Sequence, residues 1–98
     1  MDRLTDAERM LIGGELVESA SGAWMDSVSP VTEEVIGRVP AGAAEDVERA
    51  VLAAEAAWPD GAARTPMARA AVMNRFADAL AARADGILRV EVADTGNT

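Results

Sequence analysis

The sequence predicts an α+β fragment, in which a small antiparallel β meander over residues 11–39 precedes about three α-helices. Three observations lead to this prediction. Glycine and proline turn signals divide the first forty residues into short apolar stretches of strand length. Apolar residues then recur at helical spacing from residue 44 onward. No repeat or low-complexity linker divides the 98 residues, which indicates one structural unit.

The predicted strands are separated by recognisable turns. Gly13-Gly14 lies between two short apolar stretches, and glycines tolerate the positive φ angles of a tight hairpin. Ser21-Gly22 marks a second turn, and Pro30 ends the next strand because proline cannot donate a ladder hydrogen bond. A last strand covers residues 35–39 and stops at Pro40. Alternation places Trp24, Asp26 and Val28 on one face of the middle strand, and Met25 and Ser27 on the other.

The helices are predicted at about residues 44–57, 66–84 and 85–95. We expect the first to end at Pro59-Asp60-Gly61, and the second to begin with Thr65 as its cap and Pro66 in its first turn. We expect Asp85 to cap the third helix, which ends near Gly96. The residues expected to form the apolar stripes are Val47, Ala50, Val51, Ala54 and Trp58 in the first helix, Val72, Met73, Phe76, Ala77 and Leu80 in the second, and Ile87, Leu88 and Val92 in the third.

Composition excludes several kinds of chemistry within this chain. It contains no Cys, His, Lys or Tyr, so it can form no disulfide, no Cys/His zinc site, no thiolate nucleophile and no Schiff base. The net charge of −8 disfavours binding to nucleic acid and to anionic membrane surfaces. No apolar run approaches the roughly 18 residues needed to span a membrane, and the first ten residues lack a secretory apolar region. We therefore expect a cytoplasmic protein, and the Arg-only, Ala-rich composition suggests a bacterial source.

Six blocks of sequence, in order, resemble the N-terminal segment of the NAD(P)-dependent aldehyde dehydrogenase superfamily. Residues 12–15 and 19–22 resemble its "IxGExxxxxSG" hairpin, and residues 29–36 its "NPxTGEVI" turn. Residues 39–54 resemble "VPxxxxEDVDxAVxAA", and residues 94–96 the start of "DTGKP". Arg69 and the Phe76-Ala77-Asp78 stretch fit the second helix of the family. The departures are Ser29 for the family Asn, Glu33 for the turn Gly, and Asn97-Thr98 for Lys-Pro.

This resemblance implies a parent enzyme that oxidises an aldehyde to a carboxylic acid and passes hydride to NAD or NADP. It covers about the first fifth of such an enzyme, and betaine aldehyde dehydrogenases are among the members it is similar to. The chain would then be the N-terminal portion, residues 1–98, of the NAD-binding domain in an aldehyde dehydrogenase α/β fold. It lacks both the cysteine nucleophile and a GxGxxG phosphate loop. We therefore expect no catalytic and no cofactor-binding residue here, and a chain that is inactive by itself.

One candidate metal site follows from the resemblance. Several family members bind a monovalent cation, such as K⁺, through two backbone carbonyls before the turn and the Asp of "DTGK". These positions match Ser27, Val28 and Asp94. The alternative is that Asp94 caps a turn or binds water, while Ser27 and Val28 only pair in the sheet. The acidic pairs Glu33-Glu34 and Glu45-Asp46 point apart along the backbone, which favours solvated or helix-capping roles over acid–base catalysis.

Three hypotheses stay open for the role of the chain. It is a structural segment of an aldehyde dehydrogenase, a free-standing non-catalytic module that self-associates, or an incidental truncation. Each of the first two predicts a protein partner, either the remainder of the parent enzyme or another copy of this chain, with no nucleic acid and no membrane. The thin set of large apolar residues favours a homo-oligomer through the stripes of the first two helices.

Overall fold

The structure, a computed structural model, describes residues 8–97, and of Ala62 it describes the backbone alone. Residues 1–7 and Thr98 lie outside the described residues. Residues 1–7 belong to the segment in which the sequence predicts no secretory signal. The elements are β1 (Met10–Ile12), β2 (Glu15–Val17), β3 (Trp24–Val28), β4 (Val35–Pro40), α1 (Ala44–Ala63), α2 (Pro66–Ala82) and α3 (Ala84–Thr95). The predicted α+β fragment, with strands first and three helices after, is confirmed.

The strands form two separate antiparallel hairpins, where the sequence predicts a single meander. β1 pairs with β2 and β3 with β4, and within the described residues β2 does not pair with β3. The reason lies in the turn between them. The N–H of Ala20 is taken by a side chain of α1, and Gly22 closes a turn on the carbonyl of Ser19. A backbone bond from Glu8 N–H to Arg38 C=O links the residues before β1 to the second hairpin.

Both predicted turns that depend on glycine are confirmed, and in the second of them Gly22 takes a φ of 73°. Gly13 and Gly14 have φ angles of 62° and 81°, which is the pattern of a two-residue hairpin turn of the I′ type. Glu33 takes a φ of 63° in the turn between β3 and β4. It is the only non-glycine residue in the left-handed region among residues 8–97. The departure from glycine noted in the sequence therefore carries backbone strain.

A bulge in the second hairpin creates the core. Ser27 pairs with Gly37 but Val28 pairs with Val35, so Ile36 is an extra residue on β4. Ile36 is fully buried, and it is the only large apolar side chain of the described residues in that state. Simple strand alternation does not predict this position, because a bulge changes which residues face inward.

The helix boundaries differ from the predictions in three places. α1 continues through Pro59 to Ala63, past the predicted end at residue 57; its C-terminal cap is Arg64, whose N–H donates to the carbonyl of Gly61. α2 ends at Ala82, two residues earlier than predicted. The cap of α3 is Arg83, which also closes α2, so Asp85 lies in the first turn of α3 and is not its cap.

Other helix signals perform as predicted. The Thr65 hydroxyl accepts the N–H of Ala68 at 3.1 Å, with Pro66 at the first helical position. Gly96 ends α3 with a φ of 74° and an N–H bonded to the carbonyl of Val92. α2 and α3 contain no buried residue, so the apolar stripes predicted for them are exposed in this chain. No helix within residues 8–97 combines the length and the apolar character needed to cross a bilayer.

Candidate functional site

The most highly connected side chain of the described residues is Asp46, at the start of α1. It is 2% exposed. Its carboxylate accepts the N–H of Ala43 at 2.9 Å and the N–H of Ala20 at 3.0 Å. The hydroxyl of Ser19 and the guanidinium of Arg49 complete the set, at 3.2 and 2.5 Å. We call Asp46 with these four partners the Asp46 cluster.

The Asp46 cluster joins parts of the chain that are distant in sequence. Two of its donors precede β3 and two belong to α1 or its cap, so one carboxylate fixes the loop after β2 against the helix. Arg49 extends the connection, since its guanidinium also lies 3.5 Å from the carbonyl of Glu18. Ala43 lacks a side-chain oxygen, so only half of a capping box is present at this helix start, in which the Asp46 carboxylate accepts the N–H of Ala43.

The donors around Asp46 also fix its protonation state. The N–H groups of Ala43 and Ala20, followed by Arg49, lower the pKa of Asp46 from 3.8 to about 2. A carboxylate that is ionised throughout the physiological range accepts hydrogen bonds but is a poor general acid or base. The geometry therefore gives Asp46 a structural role. Its partner in the sequence pair, Glu45, is exposed, as are Glu33 and Glu34.

The structure brings together two of the three residues expected to hold a cation. The Ser27 hydroxyl donates to Asp94 Oδ1 at 2.5 Å, which joins β3 to the end of α3 across 67 residues of sequence. Val28, the residue that follows Ser27, is 49% exposed. The contact uses the serine side chain, whereas the sequence prediction concerned the backbone carbonyls. No group of three or more His, Cys, Asp or Glu within residues 8–97 is arranged to bind a metal.

Ser27 and Asp94 line a cleft of about 410 Å³ between the second hairpin and α3. Asp26 and Glu8 also line this cleft, so three acidic residues contribute to its walls. Its remaining walls come from Met25, Val39 and Val90. This cleft is the place where oxygen ligands and negative charge coincide.

The turn that leads out of β3 is held by a serine where the family motif has asparagine. Ser29 is 4% exposed, and its hydroxyl accepts the N–H groups of Val31 and Thr32 at 3.3 Å each. Backbone bonds from Glu33 N–H to Ser29 C=O and from Ser29 N–H to Glu34 C=O close the turn. A short side-chain oxygen at this position therefore performs the turn-forming role that asparagine also can.

The two tryptophans differ in their surroundings. The guanidinium carbons of Arg9 and Arg38 lie 5.2 and 5.0 Å from the ring centroid of Trp24, within cation–π range. Trp58 is 71% exposed on α1. Trp24 therefore contacts two guanidinium groups, while the side chain of Trp58 is largely exposed. The sequence offered no signal for the two arginines at Trp24, because one of them precedes β1 and the other lies on β4.

Comparison with known proteins finds similarity to one family. The model of the aldehyde dehydrogenase family matches residues 16–98. The betaine aldehyde dehydrogenase of Rhizobium etli strain CIAT 652 is 41% identical over 85 residues. That alignment covers 87% of this chain and 18% of the relative. The betaine aldehyde dehydrogenase of Rhizobium leguminosarum bv. trifolii strain WSM2304 matches to the same extent.

A solved structure is also similar. The NAD-dependent aldehyde dehydrogenase from Sinorhizobium meliloti superposes with a TM-score of 0.51 at 43% sequence identity. The superposition covers 56% of this chain and 11% of that enzyme. The chain thus spans about a fifth of the length of the curated relatives that it matches.

Proposed function

The chain belongs to the aldehyde dehydrogenase family, and we propose that it serves as the N-terminal structural segment of an NAD(P)-dependent enzyme in the cytoplasm. The parent enzyme would oxidise an aldehyde to a carboxylic acid and transfer hydride to NAD(P)⁺. The observation that carries this proposal is the family match over residues 16–98, which includes the turn at Ser29 and the end of α3. The names of the relatives make betaine aldehyde the first substrate to test.

A structural role is supported by the chemistry that these residues contain. The chain has no cysteine to form a thiohemiacetal and no glycine-rich loop for a dinucleotide. The carboxylate of the Asp46 cluster is occupied by internal hydrogen bonds. The apolar residues of α1 and α2 are exposed. This exposure is expected if the remainder of the parent domain covers these helices.

The test compares the 98-residue chain with a longer protein that contains it. We expect NAD(P)⁺ reduction with betaine aldehyde from the longer protein and none from the 98 residues. In the longer protein, Asp46→Asn should lower the melting temperature and leave the kcat per folded active site unchanged. A large fall in kcat with an unchanged melting temperature would contradict the structural role. Asp78→Asn, at an exposed position on α2, is the matched control.

The same segment would contribute a monovalent cation site to the parent enzyme. Asp94 and the backbone carbonyls of Ser27 and Val28 would hold the ion, and the three acidic residues that line the cleft would supply negative potential. Oxygen donors of this kind suit a hard cation. The ion would supply charge neutralisation beside Asp94 and take no part in hydride transfer.

Thermal melting in KCl and in choline chloride of equal ionic strength tests the cation site. In the longer protein, we expect potassium to raise the melting temperature of the natural sequence. It should have no such effect on the Asp94→Asn variant. Coincident melting curves for the natural sequence would exclude the site. The variant Asp78→Asn controls for the loss of one negative charge.

A second candidate function is a non-catalytic module that associates with itself. The observation that favours it is the exposure of large apolar side chains on all three helices, including Val51, Phe76 and Leu88. This candidate predicts that the 98-residue chain forms a defined oligomer without any other protein.

A further inference from the structure

The end of α3 lies against the turn that follows β3. Gly96 has a φ of 74°, and a Cβ built on it would lie 3.0 Å from Pro30 Cγ and 3.3 Å from Val31 Cγ2. These separations are shorter than ordinary van der Waals contacts, so the backbone approaches the turn more closely than a residue with a side chain allows. Glycine at this position therefore ends the helix and also permits its contact with the turn.

A side-chain hydrogen bond joins the same two parts of the chain. The Ser27 hydroxyl, at the end of β3, donates to Asp94 Oδ1 at 2.5 Å. A hydrogen bond to a carboxylate is shorter and stronger than one between neutral groups. The residues that hold the end of α3 on the second hairpin are thus Ser27, Pro30, Val31, Asp94 and Gly96, and we call these five residues the α3 contact.

The other end of α3 is joined to α2 through one residue. Arg83 is the C-terminal cap of α2 and the N-terminal cap of α3, and its φ of −112° and ψ of 12° lie outside the range of a regular helix. A residue at the end of an element, with backbone angles of its own, is a suitable hinge. α3 contains no buried residue, so little apolar burial opposes its rotation about Arg83.

The position of α3 determines the shape of the cleft of about 410 Å³ described above. The second hairpin contributes Ser27 and Val39 to its walls, and α3 contributes Val90 and Asp94. Val90 and Asp94 are four residues apart and therefore lie on the same side of the helix. A rotation of α3 away from the hairpin would separate these walls, so the cleft exists only while the α3 contact is made.

We propose that the α3 contact is a latch, which holds α3 against the second hairpin when closed and lets the helix turn about Arg83 when open. The hydrogen bond of Ser27 and the close approach of Gly96 act together, because each requires the end of α3 to lie at the same turn. Loss of either one opens the latch, and loss of the second then adds little. The latch depends on contacts within this chain and is independent of the reaction and the cation proposed for the parent enzyme.

Hydrogen exchange of the α3 amides, measured by mass spectrometry on the 98-residue chain, tests the latch. Ser27→Ala removes the hydroxyl, and Gly96→Asn places a side chain against Pro30 while keeping a residue that tolerates the left-handed region. Each variant should speed exchange in α3 by about tenfold, as for the loss of one hydrogen bond to a charged group. The double variant should stay within about twofold of the faster single variant. Unchanged exchange in β3 and β4 shows that the second hairpin stays folded.

Gly22→Asn is the matched control. Gly22 also has a positive φ, of 73°, but a Cβ built on it would meet no atom within 4 Å beyond its chain neighbours. Exchange in α3 of this variant should equal that of the natural sequence. Single variants that leave exchange in α3 unchanged would overturn the proposal. Effects that multiply in the double variant would overturn it as well, because they would show two independent contributions instead of one latch.

Discussion

The segment that ends with the first turn of α1 and the helical segment that follows it become ordered in different ways. Every described residue that is buried lies between Ser19 and Asp46, and none lies in α2 or α3. The first segment closes on itself through two hairpins, a bulged Ile36 and the Asp46 cluster. The second has well-formed helices whose apolar residues remain exposed. Hydrogen bonds between residues close in sequence are thus sufficient to form the helices. A buried core requires contacts between residues distant in sequence.

This difference has a physical cause in how each element is satisfied. Hairpins and capped turns complete their hydrogen bonds by bringing neighbouring segments together, and side chains such as Ser29 and Asp46 close the remaining gaps. A helix completes its bonds internally, and most of its stability in a protein comes from packing an apolar face. α2 and α3 therefore depend on a partner surface to a degree that the hairpins do not.

The largest effect is expected at the core of the first segment. Ile36→Ala should lower the free energy of unfolding by about 2–5 kcal/mol, because it removes the fully buried side chain from the bulge. Urea unfolding followed by Trp24 fluorescence, in a Trp58→Phe background, measures this change. Met67→Ala, at a position 84% exposed on α2, should change the free energy by less than about 0.5 kcal/mol. Equal effects at the two positions would break the comparison.

The Asp46 cluster should show its contribution through pH. The pKa of Asp46 falls from 3.8 to about 2 on folding, so the ionised group stabilises the folded chain fully above about pH 4. This contribution is lost as the pH falls towards 2. Asp46→Asn should therefore melt several degrees lower than the natural sequence at neutral pH, and the difference should shrink between pH 4 and pH 2. Melting curves at stepped pH check this.

Asp78→Asn is the control for that experiment, because it removes a carboxylate from an exposed part of α2. Its melting curves should follow those of the natural sequence at each pH. A difference between Asp46→Asn and the natural sequence that stays constant down to pH 2 would argue against the Asp46 charge as its cause.

The smallest effect is expected at the strained turn. Glu33→Gly should raise the free energy of unfolding by about 0.5–1 kcal/mol, since glycine removes the strain of a φ of 63° at some cost in chain entropy. Glu34→Gly, at the next residue and outside the left-handed region, should instead lower it by about 0.5–1 kcal/mol. Urea unfolding of the two variants gives the sign directly. A loss of stability in both would show that Glu33 makes a contact worth more than its strain.

Signals that act within a few residues predicted their elements well. Gly13-Gly14 form the hairpin turn, Thr65 and Pro66 start α2, and Gly96 ends α3. Pro59 was a misleading signal, because proline removes one helical bond but does not prevent α1 from continuing to Ala63. Asp85 was another, because Arg83 already closes α2 and starts α3, which leaves no residue between the helices for a side-chain cap.

The candidate sites were predictable to a smaller extent. The resemblance placed Ser27 and Asp94 in one site, and the structure joins them by a hydrogen bond. The importance of Asp46 was not visible, although an acid in the first turn of α1 was expected, because its donor Ala20 lies 26 residues away. The helix-start position expected for Glu45-Asp46 gave no indication that Asp46 would accept four hydrogen bonds.

By itself, the sequence determined the order and type of the elements, the family, and the absence of a thiol or imidazole for chemistry. These properties follow from residue types and from spacings of a few residues. Only the tertiary structure decided that Ile36 forms the core, that Asp46 ties a loop to α1, and that the stripes of α2 stay exposed. Burial and long-range hydrogen bonds depend on which segments meet in space, and a pattern along the chain does not contain that information.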